Sequence, residues 1–372
     1  MMSEPKLGFG VMRLPFLKNE EIDMQESERM FNEYMKGDFC YFDTHPAYVK
    51  NQSQKLIKNF VVDHYPRDSF MIASKMPFYV RTKEGYPHFF KQSLNECGVE
   101  YFDYYLLHAI TGSVYKKHEK MGGFSFLEQM KREGKIKHIG FSFHDSPELL
   151  DEILKKHSEI EFVQLQINFL DWDDSTIQSR KLYEIARYYE KKIFVMKPIK
   201  GGSLANLLDF NFDFNASISD FAELALRFVA SLNVDIILSG MTELEHVINN
   251  RKTFSNLSPL TEDDLRKYDL IREAIKKSHK IQCTSCHYCE RECIKKIPIP
   301  NIISLLNACG HTGINDKTYV GRFKIFYNGY VFNKGKASDC IKCGKCEMRC
   351  PQKIEIRKHI QNAAELFEEK NG

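Results

Sequence analysis

The residues best suited to chemistry stand where short apolar runs end. Phe39-Cys40-Tyr41-Phe42 reads as a buried strand that closes on Asp43, with a phenol, Tyr48, five residues further on. Lys75 closes the run 70–74 and His108 closes the run 103–107 in the same way. A charged residue at one strand end is usually only the first solvated position. On successive parallel strands of one barrel, however, these ends meet at a single rim, where barrel enzymes place their chemistry. Asp43, Tyr48, Lys75 and His108 are therefore the candidate catalytic set.

A second group is the cysteines. Eight of the eleven fall in two runs, Cys283-x2-Cys286-x2-Cys289-x3-Cys293 and Cys340-x2-Cys343-x2-Cys346-x3-Cys350-Pro351. The second has the spacing of bacterial two-cluster ferredoxins, and the first differs only in Ile294 for the proline. The expectation is two [4Fe-4S] clusters, with four-thiolate zinc as the alternative. Ligation in such proteins is crossed, so Cys283, Cys286, Cys289 and Cys350 form one expected set and Cys340, Cys343, Cys346 and Cys293 the other. Cys40, Cys97 and Cys309 read as inert buried thiols. The lysines around the runs, Lys295, Lys296, Lys334, Lys336, Lys342 and Lys345, suit a solvated face or an acidic redox partner protein.

The elements that must position these residues alternate. Strand-like runs at 7–11, 39–42, 70–74, 103–107, 137–141, 162–166, 193–196 and 235–238 are separated by helical patterns, which predicts repeated βα units and a parallel sheet. Eight such strands close a (β/α)8 TIM barrel. Helical punctuation agrees: the run 124–133 ends at Gly134, Ser146-Pro147 opens a capped helix, and 219–232 carries apolar residues at helical spacing. Gly8-Phe9-Gly10-Val11-Met12-Arg13 lacks the third glycine of a dinucleotide fingerprint, which argues against a Rossmann domain. Lys200-Gly201-Gly202-Ser203 brings backbone amides within reach of a phosphate or is simply a turn. The charged stretch 261–280 reads as a linking helix. The expected fold class is thus α/β, with a barrel over 1–260, a linker over 261–280 and a small, mainly helical ferredoxin-like domain over 281–372.

At 372 residues, with 43% hydrophobic and 28% charged residues, the chain can build a sizeable core, and a net charge of +3 gives no footprint for nucleic acid. No signal peptide and no apolar run long enough for a membrane span is evident, so the expected location is cytoplasmic.

With the four rim residues in order, the chain resembles the aldo/keto reductases, in particular members that carry a C-terminal ferredoxin-like 4Fe-4S extension. The motifs are Phe42-Asp43-Thr44-x3-Tyr48, Ser74-Lys75, Leu107-His108 and Gly140-Phe141-Ser142, with Gly134 to Ser142 also typical. The resemblance implies NADH or NADPH bound without a Rossmann fold, and interconversion of a small carbonyl and its alcohol. Tyr48 is then the proton donor, with its pKa lowered by Lys75, which Asp43 holds, and His108 orients the carbonyl. Ser142 and Gln164 are placed for the nicotinamide carboxamide, and Met196 and Lys197 stand where many relatives have a stacking tyrosine and its successor. Ser239, Gly240, His246 and Asn250 line the adenosine end, with Gly240 and His246 in place of a lysine and an arginine that clamp a 2′-phosphate. The leading reading is an iron-sulfur NAD(P)-dependent oxidoreductase. The alternative is an electron-transfer protein whose barrel binds a flavin or a redox partner.

Overall fold

The structure is a computed structural model that describes residues 6–174, 177–278, 281, 283, 286–311 and 317–368. It divides into two compact units, one holding the described residues through Asp173 with Ile177–Leu265, the other Asp174 with those of Arg266–Gly372.

The first unit is a closed parallel barrel in sequence order: β1 (Lys6–Gly10), β2 (Tyr41–Asp43), β3 (Met71–Met76), β4 (Phe102–Ile110), β5 (Ile136–Phe143), β6 (Phe162–Gln166), β7 (Lys192–Met196) and β8 (Ile236–Ser239). Their apolar, β-branched and aromatic content suits strands covered on both faces. The helical punctuation is realised as well. Ser146 caps Pro147–Lys156 by accepting from the Leu149 amide, and Ser217 forms a capping box with Asp220 at the head of Ile218–Ala230.

The barrel is filled by large rings. Tyr41, Ala73, Tyr104, Leu106, Phe162, Phe194, Ile236 and Leu238 form one buried cluster, with Phe162 stacked on Phe194 at 4.6 Å between centroids. Such bulk requires small neighbours. A Cβ on Gly8 would stand 2.7 Å from the Leu238 side chain, and one on Gly140 would overlap the carbonyl oxygen of Phe162.

β3 and β4 run further than their sequence pattern indicates. β3 extends through Lys75 to Met76, and β4 continues past His108 to Ile110, with a register shift between Leu107 and Ile110. Ala109 takes a left-handed φ of 54° inside that irregularity. A bulge of this kind re-aims the adjoining side chain, here His108.

The second unit is helical, with Tyr288–Arg291, Ile299–His311, Lys317–Tyr330, Lys345–Met348 and Ile356–Phe367. Ile297, Ile302, Ile303, Tyr327, Ile356, Ile360 and Phe367 give it a core of its own. The helix Glu262–Ser278 begins in the barrel unit and ends in this one; Lys280, at the end of the expected linker, lies outside the described residues.

The ferredoxin-like assignment and its two [4Fe-4S] clusters are corrected here. Cys283, Cys286, Cys289 and Cys350 line one pocket, and Cys293, Cys340, Cys343 and Cys346 another. Among the described residues, however, no group of three or more His, Cys, Asp or Glu side chains is arranged to hold a metal ion. Spacing along a chain counts residues, whereas ligation depends on where the backbone points the sulfurs. Cys286 and Cys343 are exposed while Cys289 and Cys346 are buried, and burial pushes the latter two thiols up to about 12 and about 11. The iron-sulfur, ferredoxin and metal-binding readings are withdrawn, together with the electron-transfer alternative that needs the clusters.

Gly140→Ala is expected to destabilise the barrel by about 1–3 kcal/mol, because the methyl group meets backbone and the Phe162 ring rather than a flexible side-chain end. Denaturant midpoints of the two proteins measure it; equal midpoints would show that β5 and β6 can separate freely.

Candidate functional site

The site grows from a buried ion pair. Register places Asp43 beside Gly10 and Ala73, and Lys75 beside Leu106. Both side chains turn inward, where Lys75 is 1% and Asp43 5% exposed. The Lys75 ammonium donates to Asp43 Oδ1 at 2.5 Å and to the Thr44 carbonyl at 2.8 Å, while Gln164 Nε2 donates to Asp43 Oδ2 at 3.1 Å. Both carboxylate oxygens are thereby engaged. Burial lowers the Lys75 pKa, with Asp43 acting in the opposite sense.

Tyr48 lies over this pair, with Lys75 Nζ 4.8 Å from its ring centroid. Its amide donates to the His45 carbonyl at 3.0 Å. The next three residues, Val49, Lys50 and Asn51, all have left-handed φ values of 51°, 51° and 64°. Such a turn costs on the order of 1–2 kcal/mol per non-glycine residue. It is held by Gln52 N–H donating to the Tyr48 carbonyl and by Lys50 Nζ donating to the Glu20 carbonyl at 2.8 Å. The sequence led us to expect a phenol pKa lowered by Lys75. It is instead raised well above the ordinary value, by burial first and Asp43 second, because an ammonium already paired with a carboxylate adds little field.

His108 approaches Tyr48 edge-on at 6.2 Å between centroids. Burial, then His45, Lys75 and His144, keeps its imidazole neutral at physiological pH. The bulge that aims it is tied down by Ser142, whose Oγ accepts the Ala109 amide at 2.8 Å. Ser142 in turn sits beside Gln164 across β5 and β6.

A second group surrounds the ends of β6 to β8. Met196 closes β7 opposite Gln166. Lys197, at a left-handed φ of 56°, donates to Gln166 Oε1 at 2.7 Å. Its pKa falls to about 7, chiefly through burial, with Asp171 raising it and Lys200 and Arg13 lowering it further. Lys200 pairs with Asp171, which also accepts from Gln166 at 2.7 Å and Asn168 at 2.6 Å. Arg13 lies against the two glycine backbones of this rim, for a Cβ on Gly201 would come within 3.2 Å of its Nη2 and one on Gly240 within 3.1 Å of its Cδ. Beyond Gly240, Asn250 Nδ2 donates to Ser239 Oγ at 2.9 Å, and His246 Nδ1 accepts from the Thr242 amide at 3.3 Å. Arg251 is held by Glu33 at 2.5 Å.

Every expected rim residue is thus placed in one of these two groups. Sequence reading missed Arg13, His45 and His144. Arg13 could have been found from its position directly after the first strand, and His45 from its place between Asp43 and Tyr48.

A closed parallel eight-stranded barrel thus carries a carboxylate, an ammonium, a phenol and an imidazole at or near the ends of β2 to β4. The family model described as "Aldo/keto reductase family" matches residues 6–219, more than half of the chain, which belongs to that family. A probable aldo-keto reductase of Glycine max is 29% identical over 176 residues, 45% of this chain and 48% of that protein. An uncharacterized oxidoreductase of Schizosaccharomyces pombe is 26% identical over 267 residues, 66% of this chain and 80% of that protein. The chain thus spans about half the length of the soybean relative. An aldo-keto reductase from Klebsiella pneumoniae, solved in complex with NADPH, shares the fold with a TM-score of 0.57 at 16% identity, over 72% of this chain and 91% of that one. The holo form of an aldo-keto reductase from Bacillus halodurans does so with a TM-score of 0.56 at 19% identity, over 73% and 96%. Among the described residues no helix is long and apolar enough to cross a membrane.

Lys75→Met should cost about 3–5 kcal/mol of stability, because it leaves the Asp43 carboxylate buried without its cation. Asp43→Leu combined with Lys75→Met should recover most of that loss. Denaturant titration of the single and double variants decides it, and a double variant no more stable than the single one would mean that the pair is not the source of the cost.

Proposed function

We propose that this chain is a nicotinamide-dependent oxidoreductase that interconverts a small carbonyl compound and its alcohol, taking NADPH or NADH. The observation that carries the reading is the Lys75–Asp43 pair lying under the Tyr48 ring with His108 beside it. When bound, the reduced nicotinamide supplies hydride to the carbonyl carbon. The chain's own task is to hold the carbonyl and deliver a proton to its oxygen.

Tyr48 is the proton donor in this reading. Its raised pKa keeps the proton in place until negative charge develops on the substrate oxygen. Lys75, fixed by Asp43 and Thr44, then stabilises the phenolate left behind. His108, neutral and aimed by the Ala109 bulge, orients the carbonyl. Gln164 and Ser142, each already committed to one hydrogen bond, keep further polar capacity for the carboxamide.

The cofactor's phosphates fit the cationic rim. Arg13 lies against the Gly201 and Gly240 backbones, where the absence of Cβ atoms permits close approach, and the charges of Arg13 and Lys200 both act on Lys197. Met196 flanks the nicotinamide, and Ser239, Gly240, His246 and Asn250 receive the adenosine portion. Gly240 offers no cation there and Arg251 is engaged by Glu33, which supports acceptance of NADPH without strong selection over NADH. The contact division at Leu265 supports a barrel domain ending near residue 260, followed by a linking helix and a separate C-terminal domain.

Tyr48→Phe is the decisive variant. Carbonyl reduction should fall about 10² to 10⁴-fold while NADPH affinity holds, since the ring stays and only the proton donor goes. Steady-state rates with cofactor titration measure both quantities, and a variant within twofold of the parent removes Tyr48 from the role.

The rim also predicts a pH dependence. Lys197 is protonated below its pKa of about 7 and neutral above it, so affinity for the phosphate-bearing cofactor should weaken as pH rises from 6 to 8.5. Lys197→Met should bind NADPH about tenfold more weakly at pH 6 and lose most of that dependence, as expected for removal of one charge-assisted bond. Fluorescence titrations at several pH values test it; a parent profile flat across this range would place Lys197 outside the phosphate site.

A further inference from the structure

His45 lies between the carboxylate and the phenol of the site, yet the reaction as described gives it no task. Its ring is 2% exposed and sits 4.3 Å from the His108 ring and 5.1 Å from the Tyr48 ring, centroid to centroid. The backbone around it is fixed: its carbonyl accepts from the Tyr48 amide and from Ser53 Oγ, each at 3.0 Å, and Ser53 Oγ also meets Thr44 Oγ1 at 2.7 Å.

The hydrogen bonding determines the tautomer. The Ala47 amide donates to His45 Nδ1 at 3.0 Å, so that nitrogen is an acceptor. Burial, with Lys75 second, lowers the pKa to about 3, and the ring is neutral at pH 7. A neutral imidazole that accepts at Nδ1 carries its proton on Nε2. That Nε2–H is buried and has no hydrogen-bond partner among the described residues. On the adjoining ring, His108 Nδ1 is likewise buried without a hydrogen-bond partner among the described residues. More than nine in ten buried polar groups are paired, so an unpartnered donor on His45 beside an unpartnered ring nitrogen of His108 is a place where a polar atom of another molecule would be accommodated.

We propose that His45 Nε2–H is a second substrate-binding donor, which selects carbonyl compounds bearing another oxygen on the neighbouring carbon, such as 1,2-dicarbonyls and 2-hydroxy carbonyls. Tyr48 and His108 serve the reacting oxygen, and this inference rests on that reading. The His45 ring adjoins the His108 ring, so a donor on it is next to the residue that orients the carbonyl. Phe78, 42% exposed and 6.0 Å from the His108 ring, adds an apolar wall suited to the carbon skeleton.

The test compares 1-phenyl-1,2-propanedione with 1-phenyl-1-propanone in the full-length protein with NADPH. His45→Phe keeps the ring and removes both nitrogens. It should lower the diketone-to-monoketone ratio of kcat/KM by about 5- to 150-fold, equivalent to about 1–3 kcal/mol at about 1.36 kcal/mol per tenfold. His45→Gln, which restores a side-chain donor, should recover much of the ratio. An unchanged ratio in His45→Phe overturns the proposal, as does a loss that falls equally on both substrates. Should the variants fail to fold, inhibition of the unaltered protein tests the same donor independently. The product-like 1-phenyl-1,2-propanediol should inhibit at least fivefold more tightly than 1-phenyl-1-propanol, and equal inhibition constants overturn the assignment. Failure of the underlying reading looks different, since it would appear as Tyr48→Phe retaining full turnover of the monoketone.

Discussion

The site depends on one buried ion pair. Removing Lys75 and Asp43 from water is costly, and a pair this enclosed is sustained only because the remaining hydrogen-bonding capacity is also used, by the Thr44 carbonyl on one side and Gln164 on the other. Two apolar residues of similar volume would serve stability as well or better. The pair provides a fixed cation under the Tyr48 ring, insulated from solvent and unable to drift. Burial first, and the Asp43 carboxylate second, leave the phenol with a raised pKa.

Around that pair the barrel supplies placement through departures from regular strand geometry. The left-handed φ at Ala109 turns β4 so that His108 faces Tyr48, and the exposed amide this creates is taken up by Ser142 from the next strand. The three left-handed residues after Tyr48 hold the phenol over Lys75 at a local conformational cost. Beneath, a floor of Tyr41, Tyr104, Phe162 and Phe194 fills the barrel and keeps the polar groups at one end. Gly140 is the point at which that packing demands the absence of a side chain.

The other side of the rim works by charge. Lys197 and Lys200 follow β7, Arg13 follows β1, and Asp171 with Gln166 and Asn168 anchors two of them. Burial lowers the Lys197 pKa to about 7, with Asp171 opposing and Lys200 and Arg13 adding to the effect, so Lys197 titrates near neutrality.

The sequence by itself determined the barrel and which ionisable residues stand at or near its strand ends. Periodicity and turn chemistry are local properties, so eight strands and the residues at or near their ends were legible in the order of amino acids alone. Asp43, Lys75 and His108 stood out as polar residues against apolar runs, and the order of motifs around them marked the family. Tertiary structure decided what those residues do to one another. No local pattern announces that His108 lies within a strand and is turned by a bulge, that Lys75 spends its charge on Asp43 and leaves the Tyr48 pKa high, or that His45 has an unpartnered nitrogen against His108. Arg13 meets Gly201 and Gly240 only because barrel closure brings β1 beside β8. The cysteine runs show the limit from the other direction: their spacing suggested metal clusters, but ligation is a property of distances between sulfurs, and those are set by how the helices of the second unit pack.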